Sequence, residues 1–467
     1  MTTTKEAEPR PSLSVAERRE LGRRARQVVP RSALGEWAPA AERDPLSLLA
    51  EQELTRVPEL VPIRHQRMAV SPFTFFRGAA KVFAADLAGA PRTDLKVQLC
   101  GDAHLTNFGG FASPERRLVF DLNDFDETLP GPFEWDLKRL AASFEVAARG
   151  NGLDEADRPA LQRTLATTYA SAMQQFSSMS HLDIWYAHLS LDQFGEYWDT
   201  SLSDAMRSRV ERTVHKAQGK DRLKALRKLT TVRDGEPRFL SDPPLLEPVT
   251  ELPSHPEHDK VVEIVATAFQ NYRRTLQADR RVLLERYRFV DLARKVVGVG
   301  SVGTRCWVAL LMGKDDDDPL FLQVKEAEAS VLEPHLRPSG FAQHGQRVVE
   351  GQRLMQATSD IFLGWERLHG VDGRDHDYYF RQLWDWKASA DVDGMDPALL
   401  ARYAQMCGYT LARAHARSGD AVALSAYLGG GKALGEAMVR FASVYADQNE
   451  RDHEAFVAHV ASPERSP

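Results

Sequence analysis

Apolar positions recur at helical spacing over most of the chain and alternate with polar positions only over short runs. Residues 15–29 carry many Arg and Glu side chains and predict an exposed helix. Another helix is predicted to begin at Ser71-Pro72, because a serine hydroxyl caps a first turn and proline fits into it. Its apolar side chains keep helical spacing until Gly89 and Pro91. Further helices are predicted at 141–148, 161–176, 261–289, 346–357, 397–417 and 434–460.

Strands are predicted where apolar and polar residues alternate. The first covers residues 95–100 and leads directly to Gly101. Runs 108–111 and 117–122 flank a Ser-Pro-Glu turn and predict a hairpin. The proline-rich residues 234–256 predict a loop instead. The last predicted strands follow a Gly-rich segment and cover 306–312, 320–325, 361–365 and 378–384.

The mixture of elements predicts an α/β (α+β) protein with a mostly helical large lobe. A chain of 467 residues exceeds the usual size of a single core, so two or three lobes are expected. The change of pattern near residue 289 marks a small mixed α/β lobe. The predicted segments are a helical N-terminal extension at 1–70, a helical lobe with the acidic loops described below at 71–288, the small lobe at 289–390, and C-terminal helices at 391–467 that pack on the large lobe.

Charge and cysteine content narrow the classes of function. The 60 Lys and Arg residues against 66 Asp and Glu give a net charge of −6, which provides no basic field for nucleic acid or an anionic membrane. Cys100, Cys306 and Cys407 are too few and too scattered for a disulfide framework or a zinc site. No run is apolar enough to span a bilayer, and the first residues lack the apolar core of a signal peptide. A cytoplasmic protein is therefore expected.

Two acidic loops carry the candidate chemistry. Asp102 and Asn107 share one short loop, and Asp124 and Asp126 follow the predicted hairpin. Phosphoryl transfer needs a carboxylate to orient the attacking hydroxyl, and oxygen ligands to hold magnesium on the phosphates. We predict Asp102 as that carboxylate and Asn107 and Asp124 as ligands of one Mg²⁺. Asp126 would bind a second metal, and His104 either braces the loop or contacts the substrate. The alternative is that these acids cap ordinary turns.

Residues 100–107 resemble the catalytic loop of aminoglycoside and choline phosphotransferases, with its pattern His-Gly-Asp-x-His-x-x-Asn. Cys100 stands where that pattern has His, and Leu105-Thr106 replaces the usual Pro-Gly. Asp124 resembles the metal-binding acid of this protein-kinase-like superfamily, and Asp136 resembles the acid that braces the loop. The resemblance implies a two-lobed fold, ATP and Mg²⁺ as cofactors, and a small-molecule acceptor.

Over nearly its whole length the chain also resembles a bacterial family of unknown function. That resemblance implies no activity. The motifs that carry it are Arg77-Gly78-Ala79-Ala80, Gly101-Asp102-Ala103-His104, Asn123-Asp124-Phe125-Asp126-Glu127 and Leu411-Ala412-Arg413-Ala414-His415-Ala416-Arg417.

A GxGxxG pattern lies far downstream of both acidic loops, in Gly298, Gly300, Ser301 and Gly303. Alone this pattern is weak, because glycines are common in turns. Kinases place such a loop over the nucleotide phosphates, between strands. The pattern here also precedes two predicted strands, which adds weight to a nucleotide-binding role.

Lys325 ends the second of these strands and fits the kinase lysine that reaches the phosphates. In kinases a Glu from the next helix pairs with this lysine. We predict Glu350 as the partner, with Glu328 and Glu333 as rivals, and an adenine-binding hinge near 383–387.

The Gly-rich segment and the loop that resembles a catalytic loop occur in the opposite order from that in kinases, since the Gly-rich segment comes second in this chain. A circularly permuted kinase-like fold explains this order, because the chemistry depends only on the arrangement in space. The alternative is that the Gly-rich segment is a flexible turn before a hairpin.

Three functions are compatible with these residues. The favoured one is an ATP- and Mg²⁺-dependent phosphotransferase that acts on a hydroxyl or similar group of a small molecule. A nucleotide-binding pseudokinase that serves as an interaction module is a second. A metal-dependent phosphoesterase is a third, because such enzymes also use Gly-Asp-x-His.

Overall fold

The structure is a computed structural model. It describes residues 13–190, 222–252, 258–370, 373–383 and 388–462, together with positions 212, 219 and 386. The described helices are α1 (Val15–Val28), α2 (Pro45–Glu53), α3 (Val61–Ala69), α4 (Pro72–Gly78), α5 (Ala80–Ala88), α6 (Glu134–Gly150), α7 (Arg158–Phe176), α8 (His181–Tyr186), α9 (Arg222–Leu229), α10 (His258–Arg274), α11 (Ala278–Leu284), α12 (His344–Met355), α13 (Pro397–Ser418), α14 (Ala421–Leu428) and α15 (Lys432–Val460).

Strands and short 3₁₀ helices make up the rest of the described regular structure, so the protein is mixed α and β, as predicted. The described strands are β1 (Lys96–Leu99), β2 (Phe108–Ala112), β3 (Leu118–Leu122), β4 (Leu129–Pro132), β5 (Leu189–Ser190), β6 (Thr230–Arg233), β7 (Glu236–Phe239), β8 (Leu246–Pro248), β9 (Arg288–Lys295), β10 (Cys306–Met312), β11 (Pro319–Ala327), β12 (Gly364–His369), β13 (Asp375–Gln382) and β14 (Ala388–Ser389). Within the described ranges, no helix is both long and apolar enough to cross a membrane.

The main hydrophobic core surrounds helix α6. Residues 134–148 of this helix are all buried, and α7 and α15 pack against it while α13 packs against α7. Pairs of alanines in α6 allow these neighbours to approach closely. Five charged residues of α6 are buried as well, and buried charges require partners. These are Glu134, Asp136, Lys138, Arg139 and Glu145.

A six-stranded antiparallel sheet forms the second structural unit, in the order β12-β13-β11-β10-β9-β8. The Gly-rich turn connects β9 to β10, and β11 then carries Lys325. In the register, Lys325 lies opposite Cys306 on one side and Tyr379 on the other. All of β11 is buried, because strands cover both of its edges and α9 and α12 pack against it.

The strands near the acidic loops are short. β1 pairs with β4, and β2 and β3 form the predicted hairpin. β1 delivers the chain into the loop at 101–107, and β3 delivers it into the loop at 123–128. The Asn123 amide donates to the Asn107 carbonyl at 2.8 Å, so the two loops are joined through their backbones.

Three predicted elements differ in the structure. The helix after Ser71 is interrupted after Gly78, where a side chain would collide with Met68. The predicted helix at 261–289 divides into α10, α11 and the start of β9, and the predicted loop at 234–256 contains β7 and β8. The predicted hinge at 383–387 lies largely outside the described residues, and the domain boundaries stay a prediction.

Candidate active site

A cleft of about 570 Å³ lies where the two acidic loops, the Gly-rich turn and the N-terminal helices meet. Its volume is typical of small-molecule sites. Gly303, Lys325 and Glu350 are not among its lining residues in the described part of the chain. The predicted site residues that do line it are Asp102, His104, Asn107, Asp124, Asp126, Gly298, Gly300 and Ser301.

The turn from β1 into the first acidic loop requires glycine. Gly101 has φ +86°, a conformation that residues with a Cβ rarely adopt. A Cβ at this position would also lie 2.2 Å from the Glu127 carbonyl oxygen. Gly101 therefore brings the backbone of the first acidic loop against the second.

Asp136 braces the first loop from helix α6, as the resemblance implied. Its carboxylate accepts hydrogen bonds from the amides of Cys100 at 2.8 Å and Gly101 at 3.0 Å. His415 contacts the same carboxylate through Nε2 at 3.3 Å and meets the Tyr169 hydroxyl through Nδ1 at 2.8 Å. The predicted bracing contact is confirmed, and His415 extends it into the core.

Replacement of Asp136 tests the strength of this brace. We expect Asp136→Ala to lower the free energy of unfolding by about 2 to 5 kcal/mol, because two buried amides lose their acceptor. Urea denaturation of the purified protein measures the change. Asp94→Ala removes an exposed acid just before β1 and should stay within about 0.5 kcal/mol of the wild type. Equal stability of the two variants would show that Asp136 is not a brace.

Asp102 is held by both its backbone and its side chain. The Asn107 Nδ2 donates to the Asp102 carbonyl oxygen at 2.8 Å, and Arg139 Nε donates to Asp102 Oδ1 at 2.8 Å. The Asp102 side chain is still 19% exposed at the cleft. Burial raises the pKa of Asp102 above its ordinary value, although the Arg139 guanidinium opposes the rise. The carboxylate is therefore fixed in position and more basic than an ordinary aspartate.

His104 lies beside Asp102 but is nearly inaccessible. Its Nε2 is 3.7 Å from Asp102 Oδ2, and its Nδ1 is 3.0 Å from the Thr106 hydroxyl. Burial, followed by the nearby Arg77 and Arg139 charges, lowers the pKa of His104 well below its ordinary value. A neutral imidazole suits the bracing role better than proton donation at neutral pH.

Arg139 is a site residue that sequence reasoning missed. It lies one turn after Asp136 on α6, so both side chains reach the same loop. Its Nη2 donates to the Phe76 carbonyl at 2.6 Å, and its guanidinium stacks 3.8 Å from the Phe76 ring. The sequence signal that could have identified Arg139 was the charged pair Lys138-Arg139, which lies between Leu137 and Leu140 in this helix.

Two oxygen donors at the cleft are suited to a hard cation. Since Asn107 uses its Nδ2 for Asp102, its Oδ1 remains the atom that can bind metal. Asp124 accepts a bond from the Asp126 amide at 3.3 Å and lines the cleft beside Asn107. In the described residues, no group of three or more His, Cys, Asp or Glu side chains could hold a metal. A magnesium ion here would therefore need water or substrate oxygens to complete its coordination.

Lys325 meets the second acidic loop across 199 residues of sequence. Its Nζ contacts Asp126 Oδ2, and the Tyr379 hydroxyl donates to Asp126 Oδ1 at 2.8 Å. Burial alone would lower the pKa of the Lys325 ammonium, but Asp124 and Asp126 outweigh burial and raise that pKa. Lys325 is thus close to both acids, in agreement with the predicted proximity to Asp124.

One predicted role needs correction and another stays a prediction. Lys325 and Tyr379 each contact one oxygen of Asp126, which still lines the cleft, so a second metal at Asp126 stays a prediction. Glu350 faces Arg353 at 3.1 Å, so the prediction that it pairs with Lys325 is wrong. The acidic partner of Lys325 is Asp126, from the loop after β3, because that loop directly faces the buried end of β11.

Helix α12 contributes an arginine toward the site where we predicted a glutamate. Arg347 donates to the backbone oxygens of Asp126 at 2.8 Å, Thr128 at 2.9 Å and Glu328 at 2.7 Å. The helix therefore fixes the backbone of the second acidic loop and does not contact the lysine through Glu350.

The Gly-rich turn is anchored by the N-terminal segment. Arg67 donates to the Gly298 carbonyl at 2.5 Å, Arg56 contacts the Val302 carbonyl, and the Val57 amide donates to Gly303 at 2.8 Å. These contacts place one side of the turn at the cleft.

Comparison with known proteins gives a family but no activity. No curated protein matches the chain significantly, and no solved structure does. The whole-length resemblance to a bacterial family is confirmed, because the family described as Uncharacterized protein conserved in bacteria (DUF2252) matches residues 56–459. The chain belongs to that family.

Proposed function

We propose that this protein is an ATP- and Mg²⁺-dependent phosphotransferase with a circularly permuted kinase-like fold. One observation carries the proposal. The Gly-rich turn lines the same cleft as Asp102, Asn107 and Asp124, although it lies far from them in sequence. This proximity of the Gly-rich turn to the acidic loops is what a nucleotide-binding role for the turn requires.

The order of elements in the sheet supports the kinase-like interpretation. A strand, the Gly-rich turn, a second strand, a strand with Lys325 and then helix α12 follow one another along the chain. Kinases use this order in the lobe that covers the nucleotide phosphates. In this protein the order begins after the catalytic loop, which is what a permuted chain requires.

The residues of the cleft have distinct roles in the proposed reaction. Asp102 accepts or orients the proton of the acceptor hydroxyl, because it is fixed by Arg139 and has a raised pKa. Asn107 and Asp124 hold magnesium through oxygen atoms. Magnesium, when bound, neutralises charge on the phosphate oxygens. The Gly-rich turn offers backbone amides near the phosphates.

The pairing of Lys325 with Asp126 is the main departure from kinases. It ties β11 to the second acidic loop and so fixes Asp124, two residues earlier in the chain. Lys325 is buried and lies behind Asp126 relative to the cleft. This position also favours the second candidate function, a nucleotide-binding pseudokinase, because a lysine that does not line the cleft does not contact phosphate directly.

Turnover of ATP by the purified full chain separates the candidate functions. We expect Mg²⁺-dependent conversion of ATP to ADP, with the phosphoryl group found on an added hydroxyl compound or on water. Nucleotide binding without turnover would favour the pseudokinase. Release of phosphate from a simple phosphoester without ATP would favour a phosphoesterase. Release of AMP in place of ADP would indicate adenylyl transfer.

Substitution of Lys325 tests the contact between the two parts of the chain. We expect Lys325→Met to lower ATP turnover by about tenfold to a hundredfold, because Asp126 loses its cation and Asp124 loses its fixed position. Lys314→Met is the matched control, since Lys314 is an exposed lysine in the turn after β10. Wild-type turnover in a folded Lys325→Met protein would show that the pair has no part in catalysis.

A further inference from the structure

The charged side chains that line the cleft carry more negative than positive charge. Acidic side chains outnumber the lining cations Arg56, Arg77 and Lys81. A phosphate-bearing ligand would be repelled by this excess of acid unless some cations kept donors for it. The cations that can do so are those whose donors are not already taken by protein carboxylates.

Several basic side chains around the cleft already form ion pairs with protein carboxylates. Lys81 pairs with Glu51 at 3.0 Å, and Arg64 pairs with Glu53 at 2.9 Å. Lys325 and Arg139 are likewise held by the acidic loops, as described above. These side chains therefore have fewer hydrogen-bond donors left for a ligand.

Arg77 lines the cleft near the end of α4, whereas the two arginines above do not. Like them, it keeps a buried nitrogen, its Nε, without a hydrogen-bond partner among the described residues. Asp102 and Asp124 line the same cleft, and their carboxylates, together with Asp393, oppose the lowering of the Arg77 pKa by burial. Its carbonyl oxygen would lie 3.0 Å from a Cβ at Gly300, so the Gly-rich turn passes close to its backbone.

Arg56 provides a second cation in the same cleft. It is only 6% exposed, and its Nε also lacks a partner within the described ranges. One terminal nitrogen contacts the Val302 carbonyl in the Gly-rich turn. A buried guanidinium with an unsatisfied donor is costly, and an oxyanion in the cleft would satisfy it.

We infer that Arg77 and Arg56 form an oxyanion subsite that binds a phosphate group, with Arg77 beside the reacting atoms. The inference rests on the proposed phosphotransferase function for the identity of the ligand. Arginine suits this task because its planar fork binds phosphate through two parallel hydrogen bonds. The phosphate belongs either to the end of the nucleotide or to an anionic acceptor, and the two sources are distinguishable.

Calorimetric titration of the full chain with ATP, ADP and inorganic phosphate, each with Mg²⁺, tests the subsite. We expect Arg77→Gln to weaken phosphate-dependent binding by roughly tenfold to a hundredfold. Loss of ATP affinity with unchanged ADP affinity would assign the subsite to the terminal phosphate of the nucleotide. Unchanged ATP and ADP affinity with loss of inorganic phosphate binding would assign it to the acceptor.

Arg24→Gln is the matched control, because it makes the same substitution at an exposed arginine of α1 that lies outside the cleft and pairs with Glu20. Its affinities should stay within about twofold of the wild type. Arg77→Lys keeps the charge and should recover only part of the affinity, which also covers the case in which Arg77→Gln fails to fold. Arg56→Gln should act in the same direction as Arg77→Gln.

Three results would overturn the subsite: no binding of any of the ligands to the wild type, unchanged affinities in both folded Arg77 variants, or an equal loss in Arg24→Gln. Failure of the function is distinct from failure of the subsite. Arg77-dependent binding without any ATP turnover would refute the transferase and keep the subsite. ATP turnover with ligand affinities that do not depend on Arg77 would support the transferase and refute the subsite.

Discussion

The Asp124→Asn protein is expected to fold normally and to lose Mg²⁺-dependent nucleotide turnover by about two to three orders of magnitude. The change removes one negative charge from a site built from oxygen donors, and a hard cation depends on that charge. Asn retains the size of the side chain and its capacity to accept a bond from the Asp126 amide. Steady-state turnover across a range of Mg²⁺ concentrations measures the effect, and higher Mg²⁺ should restore part of it.

The control for this variant is Asp94→Asn, which makes the same charge change at an exposed position before β1. Its turnover and Mg²⁺ dependence should match those of the wild type. If a folded Asp124→Asn protein retains full turnover with the same Mg²⁺ dependence, Asp124 does not hold the metal.

Asp102→Asn is expected to retain nucleotide binding and to lower transfer by about two to four orders of magnitude, the usual contribution of a general base. The amide oxygen can still accept the bond from Arg139, so the loop keeps its geometry. Because burial raises the pKa of Asp102, ionisation at neutral pH disfavours the folded state, and the neutral amide should not lower stability. Single-turnover kinetics with a bound nucleotide separate binding from transfer.

The dependence of transfer on pH provides a second measurement for Asp102. The base must be ionised, so wild-type transfer should fall as the pH drops through the pKa of Asp102, which burial raises above that of an ordinary aspartate. The residual rate of Asp102→Asn should not follow this acid limb. Loss of nucleotide binding in Asp102→Asn, with transfer per bound nucleotide unchanged, would instead make Asp102 a structural or metal-binding residue.

The arrangement around the first acidic loop was predictable because it is local. β1, the loop at 101–107 and the hairpin that follows are adjacent in sequence, and turn and strand patterns report such neighbours directly. The role of Asp136 came from the resemblance to phosphotransferases, and the structure shows its carboxylate accepting from the amides of Cys100 and Gly101. The role of His415 was not predictable, because its contact with Asp136 crosses 279 residues.

The partners of charged side chains were the least predictable feature. Glu350 has the sequence position of a kinase glutamate, yet Asp126 occupies the place beside Lys325. A carboxylate on either element would satisfy the charge of the lysine equally well. The packing of α12 on the sheet, with Arg347 bound to the second acidic loop, decides between them.

The sequence by itself determined the mixed α and β character, the family, the acidic loops and the Gly-rich turn, because each depends on neighbouring residues and their spacing. Only the tertiary structure decided that the turn and both loops line one cleft, and that Arg77 and Arg139 belong there. The physical reason is that burial and ion pairing depend on which strands and helices become neighbours. Contacts across 199 residues arise only once the chain has folded.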